Sequence, residues 1–182
     1  MSSRVSSRFS RTSMLRTRVA VVATAVGASV VLGAGVASAA GKTASWVDPV
    51  KKYKLSAGYA QSGSMWKSTH SGQDFAVPSG TAVVATHGGT VAKAGGNGAG
   101  DGPAYGNAVV IKHGNGTYSQ YAHLSRVEVK VGQVVKTGQR VGLSGSTGNS
   151  SGPHLHFEIR TTADYGSSID PVAFLRSKGV TL

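Results

Sequence analysis

Residues 154–159, which spell HLHFEI, alternate strictly between polar and apolar side chains. The apolar positions are Leu155, Phe157 and Ile159, and the polar positions are His154, His156 and Glu158. This two-residue period predicts a β-strand, in which residues i and i+2 share a face. Both imidazoles then emerge on one side of the strand while the apolar residues enter the core on the other. Such a pair of histidines favours a metal-binding or catalytic role over the alternative of two polar residues on an exposed edge.

Short β-branched runs separated by glycine-rich breaks continue through the chain in both directions. Glycine accounts for 26 of the 182 residues, and no window keeps a helical period. The predicted strands cover residues 81–85, 90–94, 108–112, 118–122, 127–131, 141–143 and 155–159. One helix is predicted over 172–176, because Asp170 can cap it and Pro171 suits its first position. The pattern is typical of an antiparallel all-β domain.

A further β-turn-β pattern lies at residues 131–142. It resembles half of a biotinyl or lipoyl carrier domain but lacks the Met-Lys tip of those carriers. It therefore predicts a shared barrel architecture rather than a carrier function.

Composition excludes several kinds of chemistry. The chain has no cysteine, so it has no disulfide framework, thiolate zinc site, iron–sulfur cluster or cysteine nucleophile. Any transition metal must be held by histidine and carboxylate. The net charge is +12, and it is still +7 over residues 40–182, which hold 14 basic and 7 acidic residues; this excess favours polyanionic partners. No basic cluster is interleaved with aromatic residues, so nucleic acid is not an expected partner, whereas anionic wall polymers are.

The first 39 residues have the order of a secretory signal peptide. Residues 1–18 carry arginines and no acid, 19–36 are uncharged, and Ala37-Ser38-Ala39 places small residues before a cleavage site. Cleavage after Ala40 and an uncleaved membrane anchor are the alternatives. We predict three segments: a signal peptide at 1–39, a linker or pre-domain segment at 40–53, and a folded domain at 54–182. The mature protein would be secreted, with no stable membrane association.

A second chemical pattern is His70 followed by Asp74, with Gly72 allowing a turn between them. Alone this spacing is weak evidence, but joined with His154 and His156 it becomes strong. Two imidazoles and one carboxylate suit zinc, and three protein ligands leave the fourth position for water. Spacing does not distinguish His154 from His156 as the third ligand, because both share one face of the strand.

The motifs His70-x-x-x-Asp74 and His154-x-His156, with YAHLS at 121–125 between them, closely resemble the lysostaphin-type (LytM-like) zinc endopeptidases. The resemblance extends to DFAVPSGT at 74–81, VVIKHGNG at 109–116, GSTGNS at 145–150 and DPVAFL at 170–175. It covers nearly the whole of the predicted folded domain.

This resemblance implies an all-β fold in which an antiparallel sheet forms a groove with the metal at its floor. A barrel-sandwich-like second sheet and one short C-terminal helix complete the expected fold. The site residues carried over are one zinc held by His70, Asp74 and His156, with His123 and His154 as catalytic histidines. The implied activity is hydrolysis of peptide cross-links in bacterial peptidoglycan, whose peptide stems and cross-bridges are the partner. The enzyme would be a monomer, extracellular or in the cell wall.

Several readings stay open. The alternative function is a non-catalytic module on the same fold that binds the cell wall or regulates other hydrolases. A carrier or structural wall protein is a third possibility. Tyr59 could replace a transition-state tyrosine that family members often place before His70, although ordinary packing is favoured for it. His87 is expected at the surface, His113 in a structural or groove-lining position, and 95–102 in a mobile loop at the groove edge. The bond that is cut (Gly-Gly, D-Ala-diaminopimelate or D-Ala-Gly) is left undetermined.

Overall fold

The computed structural model describes residues 45–66 and 68–182. The predicted signal peptide and its cleavage site lie outside the described residues. The strands are β1 Lys54–Leu55, β2 Gln73–Ala76, β3 Ala82–Val84, β4 Gly89–Gly95, β5 Ala108–His113, β6 Tyr118–Ala122, β7 Arg126–Val127, β8 Val134–Val135, β9 Arg140–Leu143, β10 His154–Arg160 and β11 Ser168–Ile169. The helix α1 spans Pro171–Ser177, and two short 3-10 turns span Asn97–Gly100 and Pro103–Tyr105.

Two antiparallel sheets make up the fold. The larger sheet has the order β1-β2-β10-β6-β5-β4-β8, with β11 also paired to β10, and the smaller sheet has the order β3-β9-β7. The predicted all-β class, with a second sheet and one short C-terminal helix, is confirmed. Strand β10 lies between β2 and β6, so its residues are flanked on both sides by paired backbone.

The hydrophobic core lies on one face of β10. Leu155, Phe157 and Ile159 are fully buried there. Burying a side chain of this size contributes about 1.5–3 kcal/mol. Val50, which precedes β1, belongs to the same core. Residues 45–53 therefore pack against the strands that follow them.

The helix begins where the sequence predicts. The side chain of Asp170 accepts hydrogen bonds from the backbone N–H groups of Val172 and Ala173, at 2.9 and 3.0 Å. This capping satisfies two of the donors that the first helical turn leaves free. Leu175 anchors the helix in the core with no exposed surface.

The predicted strand at 127–131 is wrong in its length. Strand β7 ends at Val127, although the N–H of Glu128 still donates to the carbonyl of Val141. The chain then turns at Gly132, whose φ of 84° places it in the left-handed region. This turn carries the chain from the smaller sheet to β8 in the larger one. Two-residue strands such as β8 depend on distant partners, so local sequence does not reveal them.

Two histidines outside the site motifs, His113 and His87, pack against neighbouring groups. His113 is 2% exposed, with Nδ1 at 3.1 Å from the carbonyl of Gly88 and Nε2 at 2.8 Å from the hydroxyl of Ser119. The structural alternative for His113 is therefore the right one. His87 is only partly exposed, because its ring stacks on Trp46 at 4.7 Å between ring centroids.

In the part of the chain that the structure describes, no helix has the length and apolar character needed to cross a membrane.

The buried imidazole of His113 predicts a loss of stability in acid. Burial, opposed by the hydrogen bond to Gly88 and reinforced by His87, lowers the pKa of His113 from 6.5 to about 4. Between these pH values the unfolded chain binds a proton that the folded protein does not, so stability decreases as the pH falls. The contribution is about 3 kcal/mol by pH 4.

Chemical denaturation of wild type and His113→Gln between pH 7 and pH 4 measures this effect. The variant should lose less stability over that range than wild type. His87→Gln, at a less buried ring, is the control and should change the slope less. Equal slopes for wild type and His113→Gln would contradict the prediction.

Candidate active site

Strand pairing brings a histidine and a carboxylate together. In the antiparallel pair of β2 and β10, Asp74 lies directly opposite His156, and such partners share one face of the sheet. His70 precedes β2 by a short turn and points to the same place. The Nε2 atom of His70 lies 3.0 Å from Nδ1 of His156 and 3.1 Å from Oδ1 of Asp74. Nδ1 of His156 lies 2.9 Å from the same carboxylate oxygen.

The outer nitrogen of each imidazole is fixed by an acceptor. Nδ1 of His70 donates to the carbonyl of Gly58 at 2.9 Å. Nε2 of His156 donates to Oε1 of Glu158 at 3.0 Å. These bonds direct Nε2 of His70 and Nδ1 of His156 toward Asp74, as the second hydrogen bond of a metal-binding histidine does.

The three groups fit a zinc ion. Their donor atoms form a triangle with sides of 2.9 to 3.1 Å. Ligands of a tetrahedral zinc, at about 2.0–2.1 Å from the ion, lie roughly 3.3 Å apart. Two imidazoles and one carboxylate are a known catalytic zinc set. The three residues also line the main cleft, so the remaining coordination direction can be reached by water or substrate.

Hydrogen bonds within the cluster raise the pKa of His156 and lower that of Asp74. Burial of His156 disfavours its charge, but hydrogen bonds to Asp74 and Glu158 outweigh burial and raise the pKa of His156 to about 9. Burial likewise opposes ionisation of Asp74, yet the hydrogen bonds from His156 and His70 hold the pKa of Asp74 well below its usual range. A metal cation can replace the proton that these groups share, since metal binding displaces protons from its ligands.

The other two predicted histidines lie beside the cluster. His154 begins β10 two residues before His156, and its Nε2 lies 3.6 Å from Oδ2 of Asp74. His123 follows β6, with its ring centroid 4.7 Å from that of His154. All five residues predicted for the site are therefore brought together in one cleft.

A single loop orients both of these histidines. Nδ1 of His154 donates to the carbonyl of Gly152 at 2.7 Å, and Nδ1 of His123 donates to the carbonyl of Thr147 at 2.7 Å. The second nitrogen of each ring is thereby left as an acceptor. His123 also has a φ of 58°, which is a strained conformation for a residue with a side chain. Burial, followed by the charge on His156, lowers the pKa of His123 to about 4.

The cleft that contains these groups has a volume of about 810 Å³. Met65 and Trp66 line it near His70, where the rings of Trp66 and His70 lie 4.9 Å apart. Residues 101–105 and Tyr165 also line it. The sheet thus forms the expected groove with the histidine cluster inside it.

Tyr59 does not line the cleft. Its hydroxyl donates to the carbonyl of Ser168 at 3.0 Å, and it is absent from the cleft lining. The packing interpretation is therefore the right one. The loop at 95–102 does edge the cleft, but Asp101 is held by Lys93, Arg160 and Gln120.

The sequence did not lead us to predict a functional role for two polar residues beside the cluster, Glu158 and Tyr105. Glu158 shares the polar face of β10 with His154 and His156, so the same two-residue period could have indicated it. Tyr105 gave no sequence signal; its hydroxyl donates to Oε1 of Glu158 at 2.7 Å. Burial and the Glu158 carboxylate raise the pKa of Tyr105 far above its usual range, so this phenol keeps its proton.

A His–Asp–His donor set with one open direction, beside two further histidines in a cleft, defines a metal-dependent hydrolase. Comparison with known proteins agrees. The model of peptidase family M23 matches residues 68–171. The chain belongs to this family of metallopeptidases, and the predicted lysostaphin-type resemblance is confirmed.

Known relatives support the assignment. The chain is 49% identical over 90 residues to the peptidoglycan DD-endopeptidase ShyA of Vibrio cholerae, a match that covers 50% of this chain and 20% of ShyA. The matched segment thus spans about a fifth of the length of that relative. The catalytic domain of lysostaphin from Staphylococcus simulans superposes with a TM-score of 0.62 and 36% identity, covering 68% of this chain and 92% of that domain. A zinc-containing peptidase from Vibrio cholerae gives a TM-score of 0.58 with 34% identity, over 69% of this chain and 39% of that protein.

Gly72 is predicted to be essential to this geometry. A Cβ atom at Gly72 would lie 2.3 Å from the carbonyl oxygen of Phe157 and 2.9 Å from Nε2 of His156. Gly72→Ala should therefore push the His70–Asp74 turn away from β10. We expect a loss of roughly 1–3 kcal/mol of stability, as for other overpacked sites, together with weaker zinc binding.

Thermal unfolding of the metal-free protein and competition with a zinc chelator measure the two effects. Gly114→Ala is the matched control, because a Cβ atom there meets no atom within 4 Å. If the two variants behaved alike in both measurements, the close approach at Gly72 would have no consequence.

Proposed function

We propose that this chain is a secreted, zinc-dependent endopeptidase that hydrolyses peptide cross-links of bacterial peptidoglycan. The observation that carries the proposal is the convergence of His70, Asp74 and His156 on one point, with His123 and His154 beside it in the same cleft. Family membership supports the peptidase chemistry, and the names of ShyA and of the zinc-containing relative support the substrate and the metal.

In the proposed site His70, Asp74 and His156 hold one zinc ion. Zinc bound there would supply an acidified water and polarise the carbonyl of the scissile bond. The chain contributes the fixed direction of the ligands. Because Gly58 and Glu158 accept from the outer imidazole nitrogens, neither ring needs to rotate when the ion binds.

The two remaining histidines perform the proton transfers in this proposal. Each donates its Nδ1 hydrogen to a carbonyl of the 145–152 loop, so each Nε2 can accept a proton within the cleft. One histidine takes a proton from the attacking water and returns it to the leaving amine. The other, after taking up a second proton at Nε2 to become an imidazolium, donates to the oxygen that becomes negative as the carbonyl is attacked.

The proposed biological setting follows from the sequence. Residues 1–39 would direct export, and 40–53 would lead into the catalytic domain at 54–182. The part of this leading segment at 45–53 packs against the core of that domain. Without residues 1–39 and their five arginines, 14 basic and 7 acidic residues remain, and this net charge of +7 would favour contact with anionic wall polymers in addition to peptide stems and cross-bridges. We propose that the mature enzyme acts as a monomer outside the cell or in the cell wall.

The activity is tested on a suspension of purified cell walls. Zinc-loaded protein should lower its turbidity and release peptide fragments, which mass spectrometry assigns to a cleaved bond. Removal of the metal by a strong chelator should abolish release, and added zinc should restore it. Full activity of protein shown by elemental analysis to be metal-free would end the zinc proposal. A zinc-loaded protein that binds walls but releases nothing would favour the non-catalytic module.

Substitution of the five site residues separates ligands from proton-transfer groups. His70→Ala, Asp74→Ala and His156→Ala should lose zinc and activity together. His123→Ala and His154→Ala should retain near-stoichiometric zinc but lose about 10²–10⁴-fold in rate, the usual contribution of a general acid or base. Zinc per chain and hydrolysis rate are measured on all five.

His87→Ala is the control for this series, because His87 lies outside the cleft lining. It should retain both zinc and activity. A metal-free His154→Ala combined with a zinc-bound His156→Ala would reverse the assignment of the two histidines.

A further inference from the structure

A buried row of charged side chains leads away from the cluster of His70, Asp74 and His156. Oε1 of Glu158 accepts from Nε2 of His156, and Oε2 accepts from Nε of Arg160 at 2.6 Å. Nη1 of Arg160 continues to Oδ2 of Asp101 at 2.6 Å. Glu158 and Arg160 have no exposed side-chain surface. The mechanism proposed above uses neither Arg160 nor Asp101.

Burial makes this arrangement expensive unless every charge is paired. An ion in the interior loses several kcal/mol of hydration, which only good geometry and saturated hydrogen bonds offset. The structure meets that condition. Glu158 also accepts from the hydroxyls of Ser71 and Tyr105, at 2.6 and 2.7 Å. Nη2 of Arg160 donates to Oε1 of Gln120 at 2.8 Å. Within the described residues, no buried side-chain nitrogen or oxygen lacks a partner.

This row of buried, hydrogen-bonded charges acts on His156. A carboxylate can only accept hydrogen bonds, so Nε2 of His156 must carry the hydrogen that Glu158 receives. Nδ1, which faces Asp74 and His70, is then the nitrogen available to a metal. Arg160 fixes the other oxygen of Glu158, so the carboxylate cannot turn away from His156. Asp101, at the opposite end of this row of charges, lies in the wall of the cleft.

We propose that Glu158, clamped by Arg160, is a positioning residue that sets the zinc affinity of this site by holding His156 with Nδ1 directed at the ion. This inference rests on the proposed function only in requiring that His156 bind zinc. Carboxylates in this relation to a metal-binding histidine typically change metal affinity 10–100-fold.

The test is zinc affinity, measured by chelator competition on the full folded domain of wild type and Glu158→Gln. An amide cannot accept from His156 and Arg160 with both of its ends, because one end is a donor. We expect Glu158→Gln to weaken zinc binding 10–100-fold and to alter the absorption spectrum of the cobalt-substituted site. Glu128→Gln is the matched control: Glu128 also pairs with two arginines, Arg126 and Arg140, but lies outside the cleft lining. Its zinc affinity should equal that of wild type.

Two further variants keep the test decisive if Glu158→Gln folds poorly. Tyr105→Phe removes one donor to Glu158 without changing any charge. It should weaken zinc binding by a smaller factor, about two- to fivefold, because Ser71 and His156 still donate to the same carboxylate oxygen. Asp101→Asn disturbs the same buried row of charges but at its far end, so it should leave zinc affinity within twofold and raise KM instead.

The outcomes are distinguishable. Wild-type zinc affinity in both Glu158→Gln and Tyr105→Phe would overturn the positioning role while leaving the zinc enzyme intact. An equal loss of affinity in Asp101→Asn and Glu158→Gln would also overturn it, because the loss would then reflect general damage to the buried network. Failure of wild type itself to bind zinc would instead reject the proposed function.

Discussion

The register of β10 against β2 is the constraint on which the site depends. It places His156 opposite Asp74 and, one residue earlier, Leu155 opposite Phe75. Because side chains alternate between faces, a slip of one residue would turn the histidines into the hydrophobic core and the apolar residues toward the cleft. The hydrophobic face of β10 therefore fixes the position of the proposed metal ligands on its other face. Core packing and site geometry are two consequences of one alignment.

The side chains on the polar face of β10 become more buried along the strand. His154, His156, Glu158 and Arg160 follow one another along it, and burial deepens along this series. His154 keeps 13% of its side chain exposed at the cleft, whereas Glu158 and Arg160 keep none. The proton transfer proposed for His154 needs access to substrate at the first position. Fixed ligand geometry needs dry, paired charges at the last two, where a low dielectric strengthens each interaction.

The smaller sheet contributes to the site indirectly. Strand β9 leads into the 145–152 loop, whose Thr147 and Gly152 carbonyls accept from His123 and His154. The same loop is tied to the segment before β5, since the hydroxyl of Thr147 accepts from the N–H of Asn107. The second sheet thus acts as a support that sets which nitrogen of each histidine faces the cleft.

Local sequence determined the all-β class, the capped helix at Asp170 and the shared face of His154 and His156, because alternation and capping depend on near neighbours. The motifs also indicated the five residues that the structure brings together in one cleft. Tertiary structure alone decided that residues 45–53 join the core, that the segment after Val127 crosses between sheets, and that Tyr105 and Arg160 reach Glu158. Arg160 and Asp101 are 59 residues apart and meet at 2.6 Å. No local pattern encodes such a contact, since it exists only once the strands have paired and excluded water from the charges between them.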